Sequence, residues 1–229
     1  MKSVKQIVSS TVINEGINYI EKNPVQNLEK LLNWGEKLVS KENHKEYAQA
    51  FHKILTGPDN NWRDLIVKAF SEYDANILKK FIVNFMVNAT IVGVPQQDKY
   101  REEYGCNIPW AVLMHPTSAC NLKCKGCWAA EYDQSTSLSN DTLERIINEG
   151  KELGIYMYIF SGGEPLVRKK DLVKLAEKYN DCMFLAFTNA TLVDDDFAED
   201  LKRVGNFTLA ISVEGSESET DMRRGAGTY

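Results

Sequence analysis

Three of the chain's five cysteines fall within eight residues, Cys120, Cys124 and Cys127 in the stretch CNLKCKGC. Thiolates at this spacing ligate zinc or iron-sulfur clusters, and the number of donors separates the two. A structural zinc site closes with four ligands, often as two separated Cys-x-x-Cys pairs, whereas Cys106 and Cys182 stand alone. His115 completes a zinc set in principle, but it falls on an expected strand, where a core or pore-lining histidine is the commoner role. Three thiolates can hold three irons of a [4Fe-4S] cube and leave the fourth without a protein ligand, while a ferredoxin fills all four. An iron left open accepts a small molecule that chelates through an amine and a carboxylate.

Composition narrows the setting of this chemistry. The chain has 229 residues, 43% hydrophobic and 26% charged, which is enough for one or two cores. A net charge of -5 and a pI near 5.4 argue against a protein that coats a phosphate backbone, so no nucleic-acid partner is expected. At the N-terminus, Gln6, Ser9, Ser10, Asn14 and Glu15 interrupt any apolar run before a signal-peptide core forms, and a cytoplasmic protein is expected. The most apolar stretch, Phe81 to Val94, has 14 residues and contains Asn84 and Asn88, fewer than the roughly 20 that span a bilayer. It reads as a buried helix, with no membrane span. A reducing compartment disfavours disulfides and turns the cysteine cluster toward metal chemistry.

The elements that must position these thiols change character along the chain. Residues 1–94 carry helical spacing, with Leu28, Leu31, Leu32 and Leu38 in one segment and Trp62, Leu65, Ile66, Ala69, Phe70 and Tyr73 in another. About five helices are expected there, with aromatic residues in a core, Gly57–Pro58 as a break and Gly93 with Pro95 after the last helix. Residues 95–109 read as a linker. Residues 110–229 alternate strand and helix: strands at Ala111–Thr117, Ile155–Phe160, Cys182–Thr188 and Phe207–Val213, with amphipathic helices near 141–154, 170–179 and 194–204. Such alternation implies right-handed crossovers and a parallel sheet. Ligand sites then lie on the loops after the strands. Those loops carry the cysteines, SGGEP, TNAT and EGSES.

The cysteine spacing Cys-x3-Cys-x2-Cys and the SGGEP loop together resemble the radical SAM enzymes, over residues from about Pro109 to Tyr229. The resemblance implies a partial (β/α)6 barrel preceded by an all-helical region. It implies a [4Fe-4S] cluster on Cys120, Cys124 and Cys127, and S-adenosylmethionine (SAM) held at its methionine amine by backbone groups of Gly162, Gly163 and Glu164. By the same resemblance Thr188, Asn189, Ser212 and Glu214 are nucleoside and carboxylate contacts. TDMRRG is similar to a stretch of the subfamily with an additional iron-sulfur C-terminal domain, which puts Arg224 near the SAM carboxylate. The implied reaction is one-electron cleavage of SAM to a 5′-deoxyadenosyl radical that abstracts hydrogen from a substrate the sequence does not name. A reductant such as flavodoxin or ferredoxin is the implied partner.

Two features depart from the family pattern. The residue before the third cysteine, usually aromatic and stacked on adenine, is Gly126; Trp128 either substitutes for it or packs under the loop. The chain also has four expected strands where the family has six, so a piece of a longer protein is expected, with an open fourth-strand edge that favours self-association and little or no productive turnover even where cluster and SAM bind. Glu102, Glu103 and Asp194 to Asp196 read as solvated carboxylates or helix caps, and Cys106 and Cys182 as inert buried or half-buried thiols. Within the class, TDMRRG favours a peptide- or protein-modifying maturase and the apolar helical region a lipid-modifying enzyme. A non-catalytic electron-transfer module is the alternative from outside it.

Overall fold

The computed structural model describes residues 61–129 and 133–229, together with Glu15, Tyr19, Asn27, Lys30 and Lys53. The expected helix carrying Leu28 to Leu38 and the break at Gly57–Pro58 fall outside these residues. Residues 1–79 form one compact unit and Lys80–Tyr229 a second. In the first, α1 (Asn61–Glu72) forms where the helical spacing predicts it, but Trp62 and Leu65 are exposed rather than core. Helix α2 (Ala75–Phe81) leads into a π-helical stretch (Ile82–Val92) and then α3 (Gly93–Tyr104).

Gly93 and Pro95 therefore open a helix instead of following one, and helix occupies much of the stretch read as a linker. Gly93 is fixed by packing, because a Cβ there would lie 2.4 Å from the carbonyl oxygen of Gly154. The continuous helical run Ala75–Tyr104 is longer than the apolar segment suggests, and by length and composition alone it could cross a membrane. Its polar side chains show what it packs on. Asn84 donates to the carbonyls of Asn180 and Cys182, Asn88 to that of Asp181, and Gln97 to that of Gly154. Amides matched one by one to the ends of α/β elements belong to a core-packed helix, which is the reading the two asparagines favoured.

Four parallel strands follow: β1 (Ala111–Thr117), β2 (Met157–Gly162), β3 (Met183–Thr188) and β4 (Phe207–Ile211). Their spatial order is their sequence order, β1-β2-β3-β4, so each crossover adds a strand on the same side. Right-handed crossovers that always advance the same way put every helix on one face of the sheet, as in a barrel wall. Helices α4 (Asn140–Glu152), α5 (Lys169–Lys178) and α6 (Asp195–Val204) supply Leu143, Ile147, Leu172, Leu175, Ala176 and Phe197 to that face. They pack on Tyr158, Phe160, Phe184, Ala186 and Phe207 from the strands. The Ser139 hydroxyl caps α4 by accepting from Thr142 N–H, and the Asp194 carboxylate caps α6 by accepting from Phe197 N–H. The opposite sheet face, with Leu113, His115 and Phe187, is open.

Candidate functional site

Every strand ends at the same rim, and backbone bonds fasten the cysteine loop and the end of β1 to their neighbours there. Glu164 N–H, just beyond β2, donates to the Ala119 carbonyl at 2.8 Å, and Gly163 N–H donates to the Thr117 carbonyl at 3.1 Å. Lys125 N–H donates at 2.8 Å to the carbonyl of Arg223 in α7 (Glu217–Arg224), a helix that sequence periodicity did not announce. Within the loop, Cys127 N–H reaches the Cys124 carbonyl at 3.2 Å, and Gly126 takes a left-handed φ of +70°. Glycine adopts that conformation without steric cost.

All three loop thiols are half-buried and unpaired with one another by disulfide. Burial pushes the Cys120 thiol up; Leu122 N–H, 3.4 Å from its sulfur, acts the other way, and the Glu164 carboxylate and the other two thiols raise it further. Among the described residues, no three His, Cys, Asp or Glu side chains are gathered at metal-binding distance. The donor set nonetheless suits an iron-sulfur cluster: three soft ligands on one tethered loop, with no fourth thiol near. Drawing the sulfurs together and releasing their protons is then part of loading. Of the remaining cysteines, Cys182 is buried as expected, which raises its thiol strongly, while Cys106 is exposed rather than buried or half-buried.

Glu164 is the hub beneath the loops. Only 2% exposed, its carboxylate accepts from Leu166 N–H at 3.0 Å and the Thr188 hydroxyl at 2.7 Å on one oxygen, and from Asn189 N–H at 2.9 Å on the other. The side chain is thus fully engaged with protein donors and joins the end of β2 to the end of β3. Glu164→Ala strands three buried donors, and Glu164→Gln sets an amide N–H against Asn189 N–H or the Thr188 and Leu166 donors. Each is expected to lower unfolding free energy by about 3 kcal/mol, measured by urea denaturation. A change below about 0.5 kcal/mol would remove Glu164 from this role.

The remaining expected site residues sort into two clefts. Trp128, Gly162 and Gly163 line one of about 570 Å³, with His115, whose ring centroid lies 5.4 Å from that of Trp128. Trp128 is 58% exposed, so it does not pack under the loop. Asn189, Ser212 and Arg224 line a second cleft of about 430 Å³ at the ends of β3 and β4. Thr188 is buried beneath it. Glu214 is paired with both Arg223 and Arg224, the latter through Nε at 3.1 Å and Nη2 at 2.6 Å on the same carboxylate oxygen. The Arg224 guanidinium, side chain 11% exposed, holds the Glu214 carboxyl below its usual range, with Arg223 assisting. Asn121 and Thr191, which sequence reasoning did not single out, bridge the cysteine loop to the β3 loop. No local signal could have found them, since short polar side chains in turns usually bond locally.

Fold and site together define an α/β protein with a singly wound parallel sheet whose strand-end loops assemble a thiol-rich rim. The sequence profile of the radical SAM superfamily matches residues 114–229. The chain belongs to that superfamily. It is 36% identical over 118 residues to Fe-coproporphyrin III synthase of Methanosarcina barkeri, covering 50% of this chain and 29% of that protein. It is 34% identical over 126 residues to PqqA peptide cyclase of Bradyrhizobium diazoefficiens, covering 53% and 32%. The chain thus spans about a third of the length of these relatives. A crystal structure of Streptococcus suis SuiB bound to S-adenosylmethionine superposes with a TM-score of 0.50 at 18% identity, covering 80% of this chain and 41% of that one, which shows a shared fold.

Proposed function

We propose that this chain is the cofactor-binding part of a radical SAM enzyme, with Cys120, Cys124 and Cys127 holding a [4Fe-4S] cluster whose fourth iron is open to SAM. The observation that carries the reading is the tethering of a three-thiol loop to the backbone of the Gly-Gly-Glu loop, through Glu164 N–H and the Ala119 carbonyl. When bound, the cluster supplies the single electron that cleaves SAM. The chain's own residues bind and orient. An ammonium needs acceptors, and the N–H groups of Gly163 and Glu164 are spent on the cysteine loop and the end of β1, so the carbonyls of the Gly-Gly-Glu loop suit the methionine amine. Trp128 offers an exposed ring for adenine in the first cleft. Ser212 and the Asn189–Ala190 backbone offer polar contacts in the second, and Arg224 meets the SAM carboxylate after sharing or leaving Glu214.

The likeness to a peptide cyclase favours a peptide or protein substrate over a lipid one. A cytoplasmic setting with a flavodoxin- or ferredoxin-type reductant fits three free, oxidisable thiols. The test is anaerobic reconstitution, reduction with dithionite in the presence of SAM, and quantification of 5′-deoxyadenosine. A fraction of one equivalent per cluster is expected, absent in the Cys124→Ala variant. Cluster-loaded protein that neither binds SAM nor yields 5′-deoxyadenosine would replace the enzyme with an electron-transfer module.

A further inference from the structure

Resting on that reading of the cysteine loop, we propose that Asn121 and the TNAT segment after β3 form a clasp that holds the cluster loop, with Asn121, Asn189 and Thr191 as positioning residues. The evidence is a closed ring of hydrogen bonds. Asn189 Nδ2 donates to Asn121 Oδ1 at 3.0 Å, and Asn121 Nδ2 donates to Thr191 Oγ1 at 2.7 Å. Thr191 completes the ring by donating to Asn189 Oδ1 from its hydroxyl at 2.7 Å and from its backbone N–H at 3.0 Å.

Each amide donates from nitrogen and accepts at oxygen, so neither can be flipped without setting like against like. The ring is anchored below as well, because Asn189 N–H is bonded to Glu164, whose own N–H holds Ala119 beside Cys120. The backbone between the two TNAT partners is strained to serve it. Ala190 is the one non-glycine with positive φ among the described residues, at +62°, and its N–H is held by the Thr188 hydroxyl at 3.0 Å. A left-handed alanine persists only where its surroundings over-determine it, and here it brings Asn189 and Thr191 side by side toward Asn121. Thr188 and Asn189 thereby spend their side chains on protein partners. Any polar contact they make with SAM falls chiefly to backbone. The clasp grips the residue directly after Cys120, so it limits how far the first thiol can stray from the other two. Groups that orient metal ligands from behind are commonly worth 10–100-fold in metal retention.

The variants are Asn121→Ala, Thr191→Val and Thr191→Ser, each as the full 229-residue chain. Two readouts are taken: the rate of iron loss from reconstituted protein to a chelator, and amide hydrogen exchange of residues 120–127 in the iron-free protein. Asn121→Ala and Thr191→Val are expected to lose iron about tenfold faster and to exchange loop amides faster, with the β2 and β3 amides still protected. Thr191→Ser keeps the hydroxyl and is expected to behave as the parent protein. Iron loss and loop exchange unchanged in Asn121→Ala would overturn the clasp, as would Thr191→Ser failing as fully as Thr191→Val. A parent protein that takes up no iron would instead overturn the cluster reading, and loop exchange in the iron-free protein would still decide the clasp.

Discussion

Gly163→Val is expected to strip the protein of its cluster as well as its affinity for SAM. On sequence grounds a side chain at this glycine would block only the approach of SAM and leave the cluster intact. The geometry places the collision elsewhere. A Cβ at Gly163 would lie 2.2 Å from the carbonyl oxygen of Ala119 and 2.4 Å from that of Ser118, backbone atoms of the segment that leads into Cys120. Neither oxygen is at the end of a flexible side chain, so the whole loop has to move, and the Glu164 N–H to Ala119 bond with it. Iron retention is expected to fall at least about tenfold, with SAM binding lost alongside. Gly126→Ala is the contrast. Its Cβ would meet nothing within 4 Å, and the cost is that of a left-handed alanine at φ +70°, about 1 kcal/mol. Iron analysis and equilibrium dialysis with labelled SAM separate the two variants. Full iron content in Gly163→Val would show that the loops are not locked together through this contact.

The second large effect belongs to the thiols. Cys120→Ala, Cys124→Ala and Cys127→Ala are each expected to abolish the [4Fe-4S] cluster, because two thiolates on a short loop cannot hold the cube. Cys106→Ala is expected to change nothing, since that thiol is exposed and remote in sequence from the loop. Cys182→Ala removes a buried sulfur beneath the sheet and is expected to cost about 1 kcal/mol of stability while leaving iron content unchanged. Loss of iron in either control would undo the three-ligand assignment.

How much of this was legible in the sequence depended on whether a signal was local. Strand β1 was bounded correctly because Pro109 and the cysteine loop punctuate both ends. Strand β2 was read two residues early: Ile155 is apolar but its N–H closes the end of α4 on the Gly150 carbonyl, and the strand runs on to Gly162, whose register partner is Thr117. The sheet's parallel pairing followed from alternation alone. Helix α7 was missed because ESETDMRR has no apolar stripe and its N-cap residue, Ser216, makes no side-chain cap; its last turn is tied instead by charge, through the arginine pair on Glu214. At the site, the three cysteines stood out by their spacing, while the role proposed for the glycine pair came from the family resemblance and not from any local pattern. The Asn121–Thr191 bond joins residues 70 positions apart, and each of the two clefts gathers residues from separate loops, so no local pattern encodes either.

The most direct test of the central claim is the electron paramagnetic resonance spectrum of the dithionite-reduced, reconstituted protein with and without SAM. A cluster held by Cys120, Cys124 and Cys127 with an open iron is expected to give a [4Fe-4S]+ signal whose g-values shift when SAM is added, because SAM becomes the fourth ligand. A reduced cluster whose spectrum is indifferent to saturating SAM would mean that the fourth iron is already filled or out of reach, and would contradict the account.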